Sequence, residues 1–118
     1  MIFAVYGTLK RGYGNNRLMP KDSFVDTGVT KNRYTLYDGG IPFVSDEVET
    51  SQIAVELFEV KDEETIKRID SLEGHPSWYI RKEIPVIDSK GNEVNCWLYF
   101  NTPTRKLPII ESGEWKRS

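Results

Sequence analysis

The sequence predicts a small mixed α/β (α+β) domain, a β-barrel or strongly curved sheet with a few helices on its outside. Three observations predict it. Strand-like runs outnumber helical ones. The run Ile53 to Val60 places apolar residues on both of its faces, with Ile53, Val55 and Leu57 on one and Ala54, Phe58 and Val60 on the other. A strand covered on both sides suits a barrel or a two-sided sheet better than an open, half-wetted one. The clearest helical spacing lies in one segment, Asp62 to Leu72.

The elements follow in chain order. Ile2 to Tyr6 is nearly continuous apolar sequence, as in a strand buried on both faces, and Gly7 ends it. Lys10 to Asn16 is rich in glycine and asparagine and reads as a loop. Arg33 to Tyr37 is a strand closed by Asp38-Gly39-Gly40. Ile41-Pro42-Phe43 reads as an extended turn, because a proline restricts the residue before it. Ile53 to Val60 is the next strand. In the helix, Asp62 is placed to cap the N-terminus, and Glu63 and Glu64 complement the positive end of the dipole. Ile66, Ile69 and Leu72 recur on one face, and Gly74 and Pro76 stop it. Trp78 to Ile87 and Val94 to Phe100 form a strand pair joined through Asp88-Ser89-Lys90-Gly91-Asn92. The tail, Arg105 to Ser118, either packs through Leu107, Ile109, Ile110 and Trp115 or frays.

Composition narrows the classes. The 118 residues favour one domain, 1–118, in which the segment from about 103 onward has no assigned role. A formal net charge of -2 gives no electrostatic case for nucleic acid or an anionic membrane as partner. One cysteine, Cys96, makes no internal disulfide, and with one histidine, His75, there is little from which to build a metal site. The expected compartment is therefore reducing, with cytoplasm the default. No apolar run approaches the ~20 residues that span a bilayer. The apolar start has neither a basic n-region nor a cleavage site, so it reads as a strand and not a leader.

Two constellations carry chemistry. In Val5-Tyr6-Gly7-Thr8-Leu9 a buried strand ends in a glycine and a small hydroxyl residue. Such a turn can aim successive backbone N–H groups into one concavity and hold an anion or oxyanion; from the residues alone a plain strand-ending glycine is the commoner case. Two better-known glycine motifs fail. Gly7 to Gly12 has the outer spacing of a P-loop but is followed by Tyr13-Gly14, and Gly12-Tyr13-Gly14 has Arg17 where a dinucleotide fingerprint needs glycine. The second constellation is Asp70-Ser71-Leu72-Glu73-Gly74-His75-Pro76-Ser77-Trp78-Tyr79. Glu73 falls at the negative end of the helix dipole, and shielding from water there would raise its pKa toward neutrality, as proton transfer requires. The alternative is a solvated glutamate beside a helix stop. His75 is a loop histidine or a general base. Cys96 is core. Ser71 and Thr8 lack a His–Asp pair, and Trp78, Tyr79, Trp97, Tyr99 and Phe100 read as core and pocket wall.

Taken together, Val5-Tyr6-Gly7-Thr8-Leu9-Lys10-Arg11-Gly12 with Asn15 and Met19, then Tyr37 to Pro42, Val55 to Val60, and Ile69-Asp70-Ser71-Leu72-Glu73-Gly74 with Pro76, Tyr79 and Arg81 resemble the gamma-glutamylcyclotransferase-like family, nearest to its gamma-glutamylamine cyclotransferase type. The resemblance runs from about residue 2 to residue 100. It implies a mixed barrel with a central pocket and a cofactor-free, metal-free reaction in which the α-amine of a gamma-glutamyl group attacks its own γ-carbonyl. The products are 5-oxoproline and a free amine or amino acid. It implies Glu73 as general acid/base, Tyr6, Gly7, Thr8 and Leu9 as the substrate cradle, and Tyr79 as orienting substrate or Glu73. Asn15 and Arg81 match motif positions too, and shaping the loop and pairing with a carboxylate are equal alternatives to a substrate role for them. The expected partner is a small gamma-glutamyl substrate, bound by a monomer or homodimer. Asn16 stands where some relatives carry histidine, and Ser77-Trp78 fills the space before Tyr79. The competing function is a non-catalytic module that binds a small carboxylate in the same pocket.

Overall fold

The computed structural model describes residues 1–116. The chain runs β1 (Ile2–Val5), a short 3₁₀ turn (Gly14–Leu18), β2 (Phe24–Thr30), β3 (Thr35–Asp38), β4 (Pro42–Ser45), β5 (Ala54–Glu59), α1 (Glu63–Glu73), β6 (Ile80–Asp88) and β7 (Glu93–Phe100). Five strands close into a barrel in the order β1-β5-β2-β6-β7, and β3 and β4 form a separate hairpin. All barrel pairings are antiparallel except the closing one, where Phe3 of β1 meets Trp97 of β7 in parallel. No described helix is long and apolar enough to cross a membrane.

The strand period of two sorts the barrel's side chains into two sets. Ala4, Val55, Leu57, Val86, Cys96 and Leu98 join one buried cluster inside. Their sequence neighbours Phe3, Val5, Phe58 and Tyr99 join a second cluster with Ile69 of α1. This is why β1 and β5 read as apolar on both faces: one face fills the barrel and the other lies under the helix.

The helix ends carry the expected caps. The Asp62 carboxylate accepts the Thr65 N–H at 2.9 Å, and Gly74 closes the helix in the left-handed region at φ 67, its N–H donating to the carbonyls of Asp70 and Ser71. Ile69 is fully buried and Ile66 packs beside it, but Leu72 is largely exposed and does not join the core. Asp62→Ala removes the acceptor for one orphan amide. We expect it to lower the melting temperature by a few degrees without changing the slope of a urea denaturation curve.

Two strands differ from the sequence reading. β2 was not expected, because its pattern is not that of a core strand: Val25 and Val29 face solvent, and Asp26 and Gly28 between them are only half-buried. A Cβ on Gly28 would lie 2.7 Å from the Ile87 carbonyl, so close pairing with β6 demands glycine there. β4 begins at Pro42, where an extended turn was expected. Proline is tolerated at the first residue of an edge strand because no ladder N–H is needed at that point. In the tail, Leu107 and Trp115 are buried, Ile110 packs against the core, and Ile109 is half-exposed. The Ile110 N–H donates to Leu36 of β3 at 2.8 Å, and the buried Lys10 ammonium donates to the Trp115 carbonyl at 2.7 Å. The tail therefore packs as far as it is described; Arg117 and Ser118 lie outside the described residues.

Candidate active site

The turn after β1 is held entirely by its acceptors. The Gly7 carbonyl takes the Lys10 N–H at 3.0 Å, and the Thr8 carbonyl takes the Asn15 N–H at 3.0 Å. The Asn15 amide donates to the Thr8 hydroxyl oxygen at 2.8 Å, and the Asn16 amide donates to the Leu9 carbonyl at 2.9 Å. With these oxygens engaged, the N–H groups of Gly7, Thr8 and Leu9 have no acceptor among the described residues. All three residues line the cavity described below, so their amides are available to an acceptor there. Gly7 is needed here for close approach: a Cβ would sit 2.6 Å from Cγ of Pro42. Asn16, which the sequence marked only as a departure from relatives, is one of the two clamps on this turn.

Glu73 is the last residue of α1. The chain is then folded back tightly. Ser77 and Trp78 both donate their N–H groups to the Gly74 carbonyl at 2.8 Å, and Tyr79 donates to the Glu73 carbonyl at 3.1 Å. No described donor bonds the Glu73 carboxyl, and burial pushes its pKa from 4.5 up to about 7. The residue keeps partial exposure because its side chain opens onto a cavity. At that pKa the carboxyl is divided between its two forms near neutral pH, the condition for both taking and returning a proton.

That cavity, about 250 Å³, is where the sequence-predicted residues meet: Tyr6, Gly7, Thr8, Leu9, Glu73 and Tyr79 all line it. It opens where β1 leaves the barrel, between the end of α1 and the β3–β4 turn. Ala4 and Tyr6 of the cluster inside the barrel are among the residues that line it. The Tyr79 hydroxyl donates to the Pro42 carbonyl at 2.8 Å, which fastens the β3–β4 turn over the cavity. Burial, and the nearby Glu73, raise the Tyr79 pKa well above its ordinary value, so it stays neutral. The Tyr6 hydroxyl donates to the Tyr99 carbonyl at 2.7 Å, and burial raises its pKa as well.

Behind Glu73 lies a network that the sequence did not fully reveal. Asp70, one helical turn earlier, accepts from Arg81 Nε at 2.9 Å and from the Tyr99 hydroxyl. Burial would raise the Asp70 pKa, but the Arg81 and Tyr99 hydrogen bonds outweigh it and the carboxyl is held below its usual range. Arg81 pairs with a carboxylate, one of the alternatives open for it, and the carboxylate is the protein's own. The network ties the end of α1 to β6 and β7 and so fixes where Glu73 points. His75 does not line the cavity; its Nδ1 accepts the Arg81 N–H at 3.2 Å. Cys96 is fully buried, and burial pushes its thiol up to about 11, so it is inert. Of the aromatics, Trp78, Tyr79 and Tyr99 line the cavity, whereas Trp97 and Phe100 do not.

A closed five-strand barrel with a pocket that joins the turn after β1 to the carboxyl of Glu73 is the class of domain that the fold and site define. The chain belongs to the gamma-glutamyl cyclotransferase, AIG2-like family, whose model matches residues 3–117. It is 42% identical to a protein of Methanocaldococcus jannaschii provisionally named a gamma-glutamylcyclotransferase, over 95% of this chain and 92% of that one. It is 32% identical to the gamma-glutamylaminecyclotransferase of Rattus norvegicus, over 80% of this chain and 74% of that one. Among solved structures, an AIG2-like protein from Mus musculus superposes with a TM-score of 0.81 at 27% identity, covering 98% of this chain and 87% of the mouse chain. Membership of this family supports a cyclotransferase function.

Proposed function

We propose that this protein releases 5-oxoproline from a small gamma-glutamyl compound by intramolecular acyl transfer. The observation that carries the reading is the placement of Glu73, with its pKa near 7, in the same cavity as the unspent amides of Gly7, Thr8 and Leu9. The ionised Glu73 takes a proton from the substrate's α-ammonium. The freed amine attacks the γ-carbonyl, forming the C–N bond of the five-membered ring. The oxyanion collapses, the C–N bond to the leaving amine breaks, and Glu73 returns its proton to that nitrogen; the re-ionised Glu73 then takes the ring nitrogen's second proton and passes it to the departing amine, which leaves as an ammonium ion beside the neutral lactam. The amides of residues 7 to 9 grip the α-carboxylate or the developing oxyanion. Because nucleophile and electrophile belong to one molecule, the pocket's main task is to hold the substrate curled, and such positioning supplies several kcal/mol or more. Tyr6 and Tyr79 supply the pocket's neutral wall.

The test is incubation with a panel of gamma-glutamyl amines and gamma-glutamyl amino acids, with 5-oxoproline measured by mass spectrometry. Saturable binding without product would replace the enzyme by the non-catalytic binding module. A pH profile provides a second check. Glu73 must start ionised, so kcat/KM is expected to fall tenfold per pH unit below about 7 and to level off above it. A limb near the ordinary carboxylate value of 4.5 would remove Glu73 from the role of base.

A further inference from the structure

A buried cation next to the turn after β1 has no part in the chemistry described so far. Lys10 follows Leu9 directly, does not line the cavity and is only 7% exposed. Lysine is rarely buried unless it is paired. No carboxylate among the described residues forms an ion pair with this one. Its ammonium donates instead to the Trp115 carbonyl at 2.7 Å, 105 residues along the chain, and lies 5.0 Å from the centre of the Tyr13 ring. Taking a charge out of water is costly, and one carbonyl and one ring offset only part of that cost. Methionine, unbranched and apolar, would fill the same space. Packing alone therefore does not call for an ammonium. What the ammonium adds is a directed bond between two distant segments.

The bonds on either side say what that link does. Lys10 is the joint of the loop. Its N–H closes the turn onto the Gly7 carbonyl at 3.0 Å, and its carbonyl takes the Tyr13 N–H at 3.1 Å to begin the next turn. Beyond that, residues 7–16 are tied to the rest of the protein by Arg11, which bonds Glu56 at the exposed surface, and by the buried bond from Lys10 to Trp115. Residues 107–115 are the fixed side. The Asp38 N–H donates to the Pro108 carbonyl at 2.9 Å, the Ile110 N–H to the Leu36 carbonyl at 2.8 Å, and the Ala54 N–H to the Gly113 carbonyl at 2.9 Å. Gly113 lies in the left-handed region at φ 76, and a Cβ there would collide with the Gln52 carbonyl. The segment is thus fastened to β3 and to the start of β5. At its end the buried Trp115 ring packs 5.5 Å from the Tyr13 ring.

We infer that residues 107–115 form a strap that holds the turn after β1 in register, and that Lys10 is the positioning residue through which the strap acts on the backbone donors of residues 7 to 9. The kinetic consequence rests on the proposed function; the structural one does not. Hydrogen exchange of the full chain, followed by NMR, reads the structural one. The amides of residues 10, 13, 15 and 16 are bonded inside the loop, and in Lys10→Met they are expected to exchange about tenfold faster or more, with the amides of the β6–β7 pair unchanged. A loss of global stability would speed both sets together. Gly113→Ala pushes the strap off Gln52 without altering the loop. It is expected to speed the same four amides, and it serves if Lys10→Met does not fold. With the gamma-glutamyl compound that the wild-type protein converts fastest, both variants are expected to lose about tenfold or more in kcat/KM, the pH limb staying near 7 because Glu73 is untouched. Loop exchange that is unchanged in both variants, or that rises only together with that of β6 and β7, would overturn the strap, as would failure of both variants to fold. A loosened loop with kcat/KM unchanged would overturn the positioning role of Lys10. Absence of 5-oxoproline from every wild-type incubation would end the cyclotransferase reading alone, and the exchange pattern would still decide the strap.

Discussion

Replacing Glu73 with glutamine is expected to reduce turnover by roughly 100–10,000-fold while making the protein more stable above neutral pH. The first effect follows from removing the only charged side chain that lines the cavity among the described residues, since general acid–base help is worth about that factor. Glutamine keeps the shape of glutamate but neither accepts a proton from the substrate ammonium nor returns one to the leaving amine. The second effect follows from linkage. The folded protein binds the Glu73 proton more tightly than the unfolded chain, because burial has lifted the pKa from 4.5 to about 7. Below about pH 4.5 the carboxyl is neutral in both states and costs nothing. As pH rises from 4.5 to 7 the unfolded chain ionises freely and the folded one does not, so stability is lost across that window. The penalty is fully present above it and amounts to at most about 3 kcal/mol. Glutamine has no such penalty. Thermal melts of both proteins at pH 4 and pH 8 check this: the variant should gain several degrees at pH 8 and little at pH 4. Wild-type turnover by Glu73→Gln would remove the proposed acid/base, and equal melting at both pH values would show that the carboxyl is not shielded from water.

Replacing Gly7 with alanine is expected to lower kcat/KM by about 100-fold with the barrel intact. The added methyl would lie 2.6 Å from Cγ of Pro42, well inside contact distance, and a proline ring has little freedom to turn away. Either the β3–β4 turn lifts, carrying with it the Pro42 carbonyl that accepts from Tyr79, or the turn after β1 retreats and re-aims the amides of Gly7, Thr8 and Leu9. Loss of one oxyanion donor costs about 100–1,000-fold, and a misplacement of about 1 Å has a similar effect. Overpacking of this kind costs roughly 1–3 kcal/mol in stability, which a domain of this size can absorb. Steady-state kinetics and circular dichroism separate the two consequences. Unchanged kinetics with a folded protein would show that the turn does not hold the substrate.

The barrel was legible because its strands are sandwiched. Alternate residues of β1 and β5 fill the barrel and pack under α1, so both faces had to be apolar, and that pattern is written locally. The helix was legible from Asp62, the isoleucine spacing and Gly74. β2 was not, since its valines face outward and the alternate positions hold the half-buried Asp26 and Gly28. What makes it a strand is its pairing with β5 and β6, which no window of the sequence contains. Leu72 misled for a related reason. Helical spacing assigned it to the core face, but the core ends one turn earlier and the cavity begins there.

By itself the sequence determined the two constellations and their chemistry: a turn able to offer backbone donors, and a carboxyl at the negative end of a helix. Side-chain identity and local backbone preference act over a few residues, so they are readable there. Only the tertiary structure decided that the two meet. Residues 7 to 9 and residue 73 share a cavity because β1 pairs with β5, α1 packs over the barrel, and Asp70 locks the helix end to Arg81 and Tyr99. The raised pKa of Glu73 belongs to that arrangement as well, because water is excluded by groups distant in the chain, and desolvation is a property of what surrounds a residue in space.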